Sequence, residues 1–164
     1  MEIDVSKVKE VREKTGAGIM AAKKALEESS GDVSKAEEIL KQQGLSNALK
    51  KSGRETSEGV IQSYIHAGNK IGAMVELKCE TDFVARTEEF INLSKYLAMK
   101  VAAMIPSYIY PDDEGAKDST PEEILVSQSF IKDPSITIED MIKSMISKVG
   151  ENIKVSKIIK FDLS

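Results

Sequence analysis

Tryptophan is absent from these 164 residues, and cysteine and histidine occur once each, as Cys79 and His66. A single cysteine forbids an intrachain disulfide and a cysteine-based zinc site, and such usage suits a reducing compartment. Only four Phe and four Tyr are present, too few for a surface on which bases stack. Neither sign of charge dominates: 23 basic residues stand against 27 acidic ones. Residues 1–58 hold 11 of each, so the rest of the chain carries the net −4. A protein that lives on phosphate backbones concentrates Lys and Arg, so nucleic acid is not the expected partner. Long apolar runs are missing too. Lys100 interrupts the longest, and no apolar segment follows a basic N-terminal stretch. The expectation is a soluble, unsecreted cytoplasmic protein with no membrane partner; a mature organellar form would read the same. The length suits one domain, or one domain plus a small appendage, burying about 70% of its unfolded surface without a staple.

What is present has two periods. Val5, Val8 and Val11 space a short amphipathic helix ending near Thr15-Gly16. Ile19, Ala22 and Leu26 space a second, stopped by Ser30-Gly31. Asp32 or Ser34 caps a third with Ala36, Ile39 and Leu40 on its apolar face and Gly44 as its stop. The polar run "KKSGRETSEG" (50–59) then reads as a linker or hinge. After Gly59 the period becomes two. Val60, Gln62 and Tyr64 alternate with Ile61, Ser63 and Ile65, "HAGN" (66–69) turns the chain, and Ile71, Ala73, Val75, Leu77 and Cys79 line one face of a returning strand. A helix over 88–105 carries Phe90, Leu93, Leu97, Val101 and Met104 and stops at Pro106. Residues 110–123 form a loop, and "PEEILVSQSF" a short helix with Pro121 in its first turn. Ile138, Met141, Ile142, Met145, Ile146 and Val149 give a clean helical stripe ended by Gly150, and Ile153, Val155, Ile159, Phe161 and Leu163 a last strand. The pattern predicts an α+β protein: a three-helix head and linker (1–53) before a small antiparallel sheet covered by helices (54–164).

Chemistry-bearing motifs are few. "GAGIMA" (16–21) has dinucleotide-fingerprint spacing, but a Lys/Glu-rich helix precedes it where the fingerprint needs a strand, so it reads as an interhelical turn. His66 falls in a hairpin turn and Cys79 on a buried strand face, so a Cys–His nucleophilic pair has nothing to orient it. Asp112, Asp113 and Glu114 lack calcium-loop spacing, and Lys50, Lys51 and Arg54 read as a solvated linker. "ETDFVAR" (80–86) leaves a choice open. A helix beginning at Asp82 puts Phe83 on the buried stripe, seven residues before Phe90. A helix capped by Thr87, with Glu88 and Glu89 in its first turn, leaves Phe83 projecting from the bend.

Several stretches together resemble the elongation factor Ts family, guanine-nucleotide exchange factors for elongation factor Tu. They are "VREKTGAGIM", "KKAL", "GD", "EGVIQSYIH", "IGAMVELKCETDFVAR", "FIKDPS" and "KVGENIKV", in family order over nearly the whole chain. The resemblance implies a ubiquitin-associated-like head, a linker and an α+β core, and a partner, GDP-bound elongation factor Tu. It implies that Thr81, Asp82, Phe83 and Val84 contact the partner's nucleotide domain, with Phe83 entering between helices and dislodging the Mg²⁺ that holds the GDP phosphates. It implies that Met20, Lys23 and Lys24 dock the head on the same domain. No catalytic residue, metal or cofactor of its own is implied, and no direct contact with the nucleotide. The chain departs from the family at Ala21-Ala22, where many members carry an acidic residue and cysteine, and at Thr87, commonly Asn or Asp. Residues 106–127 are short, and one copy of the hairpin-and-helix core is present, which implies a homodimer. A non-catalytic adaptor gripping a partner through the head is the alternative.

Overall fold

The computed structural model describes residues 4–163. Three helices open the chain: α1 (Val5–Thr15), α2 (Ile19–Glu28) and α3 (Val33–Lys51). Three of their ends have a clear local cause. Asp4 accepts from the Ser6 N–H at 2.9 Å, Gly16 ends α1, and Asp32 accepts from the Lys35 N–H at 3.0 Å. Val11, Ala22, Ala25, Leu26, Ala36 and Leu40 form their shared core. Three of these are alanines, so the helices can approach closely while burying little area.

Gly44 does not stop α3. The helix runs on to Lys51, and at Gly44 it crosses α6 (Ile138–Val149), where an added Cβ would lie 3.2 Å from Ser147 Oγ. The glycine permits that close crossing, which offsets its poor helix propensity of about 1 kcal/mol. One turn later Ala48 is buried in the second, larger core, so α3 contributes to both clusters.

β1 (Glu58–Ile65), β2 (Ile71–Cys79) and β3 (Ile153–Asp162) form one antiparallel sheet in that order. The inner face, Ala73, Val75, Leu77 and Cys79, packs on α5 (Glu88–Met104) through Phe90, Leu93, Leu97 and Val101. Between Glu76 and Leu77 the pairing with β3 slips by one residue. Ser156 is the extra residue, and its hydroxyl donates to the Glu76 carboxylate. A one-residue bulge exchanges the faces beyond it. Ile153 and Val155 are buried and Ile158 packs against the core, whereas Ile159 and Phe161 turn outward. The continuous alternation expected through Phe161 is corrected on this ground.

Two further expectations change. Met104 keeps the spacing of the α5 stripe but is half exposed, as the last residue of the helix before Ile105 takes a left-handed conformation. The short helix expected in "PEEILVSQSF" is two single 3-10 turns, Pro121–Glu123 and Leu125–Ser127. The capping box of Thr120 and Glu123 starts the first, and burial of Ile124, Leu125 and Val126 fixes the path. No described helix is long and apolar enough to cross a membrane.

Candidate functional site

After Cys79 the chain must reverse to lay α5 back over the sheet. Thr81, in extended conformation, starts the bend: its Oγ1 accepts from the Val84 N–H at 3.5 Å and opens α4 (Asp82–Ala85). Thr87 repeats the device, accepting from the Phe90 N–H at 3.3 Å while donating to the Val84 carbonyl at 2.8 Å. Two caps six residues apart limit α4 to one turn. Both helix starts left open by the sequence are therefore used. Phe83 and Phe90 do not share a continuous helix, and the buried-stripe reading of Phe83 fails.

Within α4, Val84 and Ala85 face the core while Asp82 and Phe83 face out. Phe83 is 88% exposed, the most exposed large apolar side chain among the described residues. Phenylalanine is usually buried, and leaving one in water forgoes about 1.5–3 kcal/mol. Asp82 is occupied by a 2.7 Å ion pair with Arg86, exposed on both sides and so worth only about 0–1 kcal/mol.

The bend is tied down from behind. The Thr81 N–H and Oγ1–H both donate to the Glu151 carboxylate, at 3.0 and 2.6 Å. The Cys79 thiol donates to the Thr81 carbonyl at 3.2 Å. Glu80 accepts from the Asn152 N–H at 2.7 Å and pairs with Arg54 at 3.5 Å. Asn152 is fully enclosed, and its side-chain amide donates to the carbonyls of Arg54 (2.8 Å) and Ser52 (3.3 Å). The polar run after α3 is thus clamped at Ser52 and Arg54. Sequence reasoning used Gly150 as a helix stop and passed over Glu151 and Asn152. A Glu-Asn pair directly after such a stop was the available signal.

Met20, Lys23 and Lys24 lie on the outer face of α2, at i, i+3 and i+4, opposite the buried Ala22, Ala25 and Leu26. Met20 is 75% exposed, and a shallow depression is lined by Met20, Ala21, Lys23, Lys24 and Glu27. Each lysine faces an acidic residue one turn on, Lys23–Glu27 at 4.0 Å and Lys24–Glu28 at 3.8 Å. The head residues share one face and the Thr81–Val84 residues one turn, on separate elements.

The remaining polar residues have structural duties. His66 Nδ1 lies 3.0 Å from the Tyr64 hydroxyl at the hairpin end of β2, and Cys79 occupies the other end. Burial, with the Glu151 charge adding to it, pushes the Cys79 thiol up to about 11, so it stays protonated at neutral pH. The nucleophilic pair is therefore not assembled. Asp113 accepts from the Ile109 and Tyr110 N–H groups at 2.8 and 3.0 Å and braces its loop. A groove of about 330 Å³ between α3, α6 and that loop is lined by none of the expected site residues. Among the described residues no group of three or more His, Cys, Asp or Glu converges as a metal site.

Known proteins resemble this chain in sequence over nearly its whole length. The family model described as elongation factor TS matches residues 5–118 and 80–164, two stretches that overlap. A protein of Thermosipho melanesiensis named elongation factor Ts is 46% identical, with 97% of each chain aligned. Its namesake in Thermodesulfovibrio yellowstonii is 45% identical over 99% of this chain and 97% of its own. That of Carboxydothermus hydrogenoformans is 42% identical over 95% and 87%. The first alignment spans 191 positions, more than the 164 residues here, so that relative carries residues without a counterpart in this chain. With a family model matched from residue 5 to residue 164 and relatives aligned over most of their lengths, this chain belongs to the elongation factor Ts family.

Proposed function

We propose that this protein is the guanine-nucleotide exchange factor of translation elongation: it binds GDP-bound elongation factor Tu and promotes GDP release, so that GTP can enter. The observation that carries the reading is Phe83, an exposed ring on a one-turn helix whose bend is held at Thr81, Glu80 and Thr87. A backbone bend already held by hydrogen bonds adds little further ordering cost when the ring docks. Its burial in a partner supplies roughly 1.5–3 kcal/mol, enough to separate helices by a small amount. If those helices position the Mg²⁺ on the GDP phosphates, their shift removes charge neutralisation and weakens GDP with no contact to the nucleotide. The coupling is reciprocal: GDP weakens this protein's binding by the same factor. No covalent step is involved, and the protein is an exchange factor without a catalytic site, metal or cofactor of its own.

Residues 1–53 form the docking head, with Met20, Lys23 and Lys24 as its contact face, and residues 54–164 the exchange and pairing core. The protein acts where translation occurs, the cytoplasm or the equivalent organellar compartment. It pairs with a second copy through the outer face of the sheet. There the register sets Ile65, Gly72 and Phe161 in one row and Ser63, Met74 and Ile159 in the next. Ile65, Met74, Ile159 and Phe161 are all exposed, an apolar surface suited to packing sheet on sheet. The overlap of the two family-model matches over residues 80–118 also fits a single core unit doing duty for two.

The residue-level experiment is Phe83→Ala, read by stopped-flow release of fluorescent GDP from elongation factor Tu. Loss of most of the acceleration with the fold intact supports the reading; full acceleration removes Phe83 from the mechanism.

A further inference from the structure

The bend that presents Phe83 is fixed by a segment far away in sequence. Gly150 ends α6 in a left-handed conformation (φ 77°) and turns the chain back along Cys79–Thr81. Glu151 then receives both donors of Thr81, and Asn152 donates its backbone N–H to Glu80. The same Asn152 holds the carbonyls of Ser52 and Arg54, where the chain leaves α3. Three segments meet at these two residues: the exit of the helical head, the end of β2 and the start of β3.

We infer that Glu151 is a positioning residue for nucleotide exchange, with Asn152 as its anchor to the head. This rests on the reading of Phe83 given above. Glu151 holds the Thr81 bend so that Phe83 leaves the surface in one direction. It does so with charge-assisted hydrogen bonds to the Thr81 N–H and to its hydroxyl, whose oxygen caps α4 by accepting from the Val84 N–H. Without that carboxylate, α4 keeps its buried anchors Val84 and Ala85, and Phe83 keeps its exposure, but the angle of the ring is no longer set. A displaced wedge still finds its partner through the head and docks productively less often. Asn152 keeps the distance between the head and the wedge constant, so that the two engage one partner together.

The experiment follows GDP release from elongation factor Tu while the concentration of this protein is varied, which separates the maximal rate from the half-saturating concentration. Glu151→Ala is expected to lower the maximal rate on the order of tenfold and to move half-saturation less than about twofold. Glu151→Gln, whose carboxamide can pair with both the Thr81 N–H and Oγ, restores most of the rate. In a Phe83→Ala background, Glu151→Ala has no further effect, because no ring remains to be aimed. Glu151→Asp, which withdraws the carboxylate by one methylene, carries the same expectation if the alanine variant does not fold. An unchanged maximal rate in the Ala and Asp variants overturns the proposal, as does a double variant slower than Phe83→Ala alone. If Phe83→Ala itself leaves GDP release untouched, the wedge reading falls instead, so the two failures are told apart.

Discussion

Phe83 and Phe90 lie seven residues apart and have opposite fates. Phe90 is fully buried against the sheet, and Phe83 stands in water. Truncation should separate them cleanly. Phe90→Ala removes core packing and should cost about 3–5 kcal/mol of unfolding free energy, whereas Phe83→Ala should stay within about 0.5 kcal/mol. Urea titration of both variants checks this. Periodicity could not distinguish the two, because a seven-residue spacing reads as one helical stripe; the break at Arg86-Thr87 depends on which of two threonines caps, and both do. Cys79 offers a pH test at the same scale. Its folded pKa, about 11, lies above the ordinary value of 9.0. The group's contribution to stability is thus fully present below pH 9 and declines as pH rises from about 9 towards 11, where the unfolded chain gains thiolate first. Alkylation of native protein at pH 7.5 should be slow, and should become fast on unfolding; rapid native alkylation would contradict the burial.

The hairpin and several helix ends were legible as elements, because Gly16, Asp32 and Gly150 are local signals acting on their own helices. Gly44 and Ser156 were not, since each is explained only by a neighbour distant in sequence: Ser147 on α6, and Glu76 on β2. Gly44→Val places a branched side chain where α3 and α6 nearly touch. It should destabilise by about 1–3 kcal/mol, measured by thermal unfolding, in spite of the better helix former. Because Ala48 belongs to the larger core, truncation at residue 53 would damage that core. Removing residues 1–31 takes away α1 and α2 alone. The exchange-factor reading expects weakened but measurable binding to elongation factor Tu after this truncation, and the adaptor reading expects none; surface-bound partner titrated with the truncated protein decides.

At the scale of the whole molecule, the α+β class followed from the switch between periods, and the candidate residues followed from the family resemblance. The junction at residues 150–152 was hidden, because its contacts join positions 70 to 100 residues apart and leave no periodic trace. The outer sheet face was hidden for a related reason. Only the bulge brings Ile159 and Phe161 to the same side as Ile65 and Met74. Sedimentation equilibrium should give twice the 18.0 kDa chain mass. Phe161→Glu should return the protein to monomer, since a charge cannot be buried unpaired between two sheets.

Stopped-flow GDP release, measured with millimolar Mg²⁺ and again with the metal chelated, reaches the centre of the account. The wedge mechanism predicts strong acceleration by this protein when Mg²⁺ is present, most of it lost in Phe83→Ala, and little acceleration once the metal is gone. Equal acceleration with and without Mg²⁺ would contradict it.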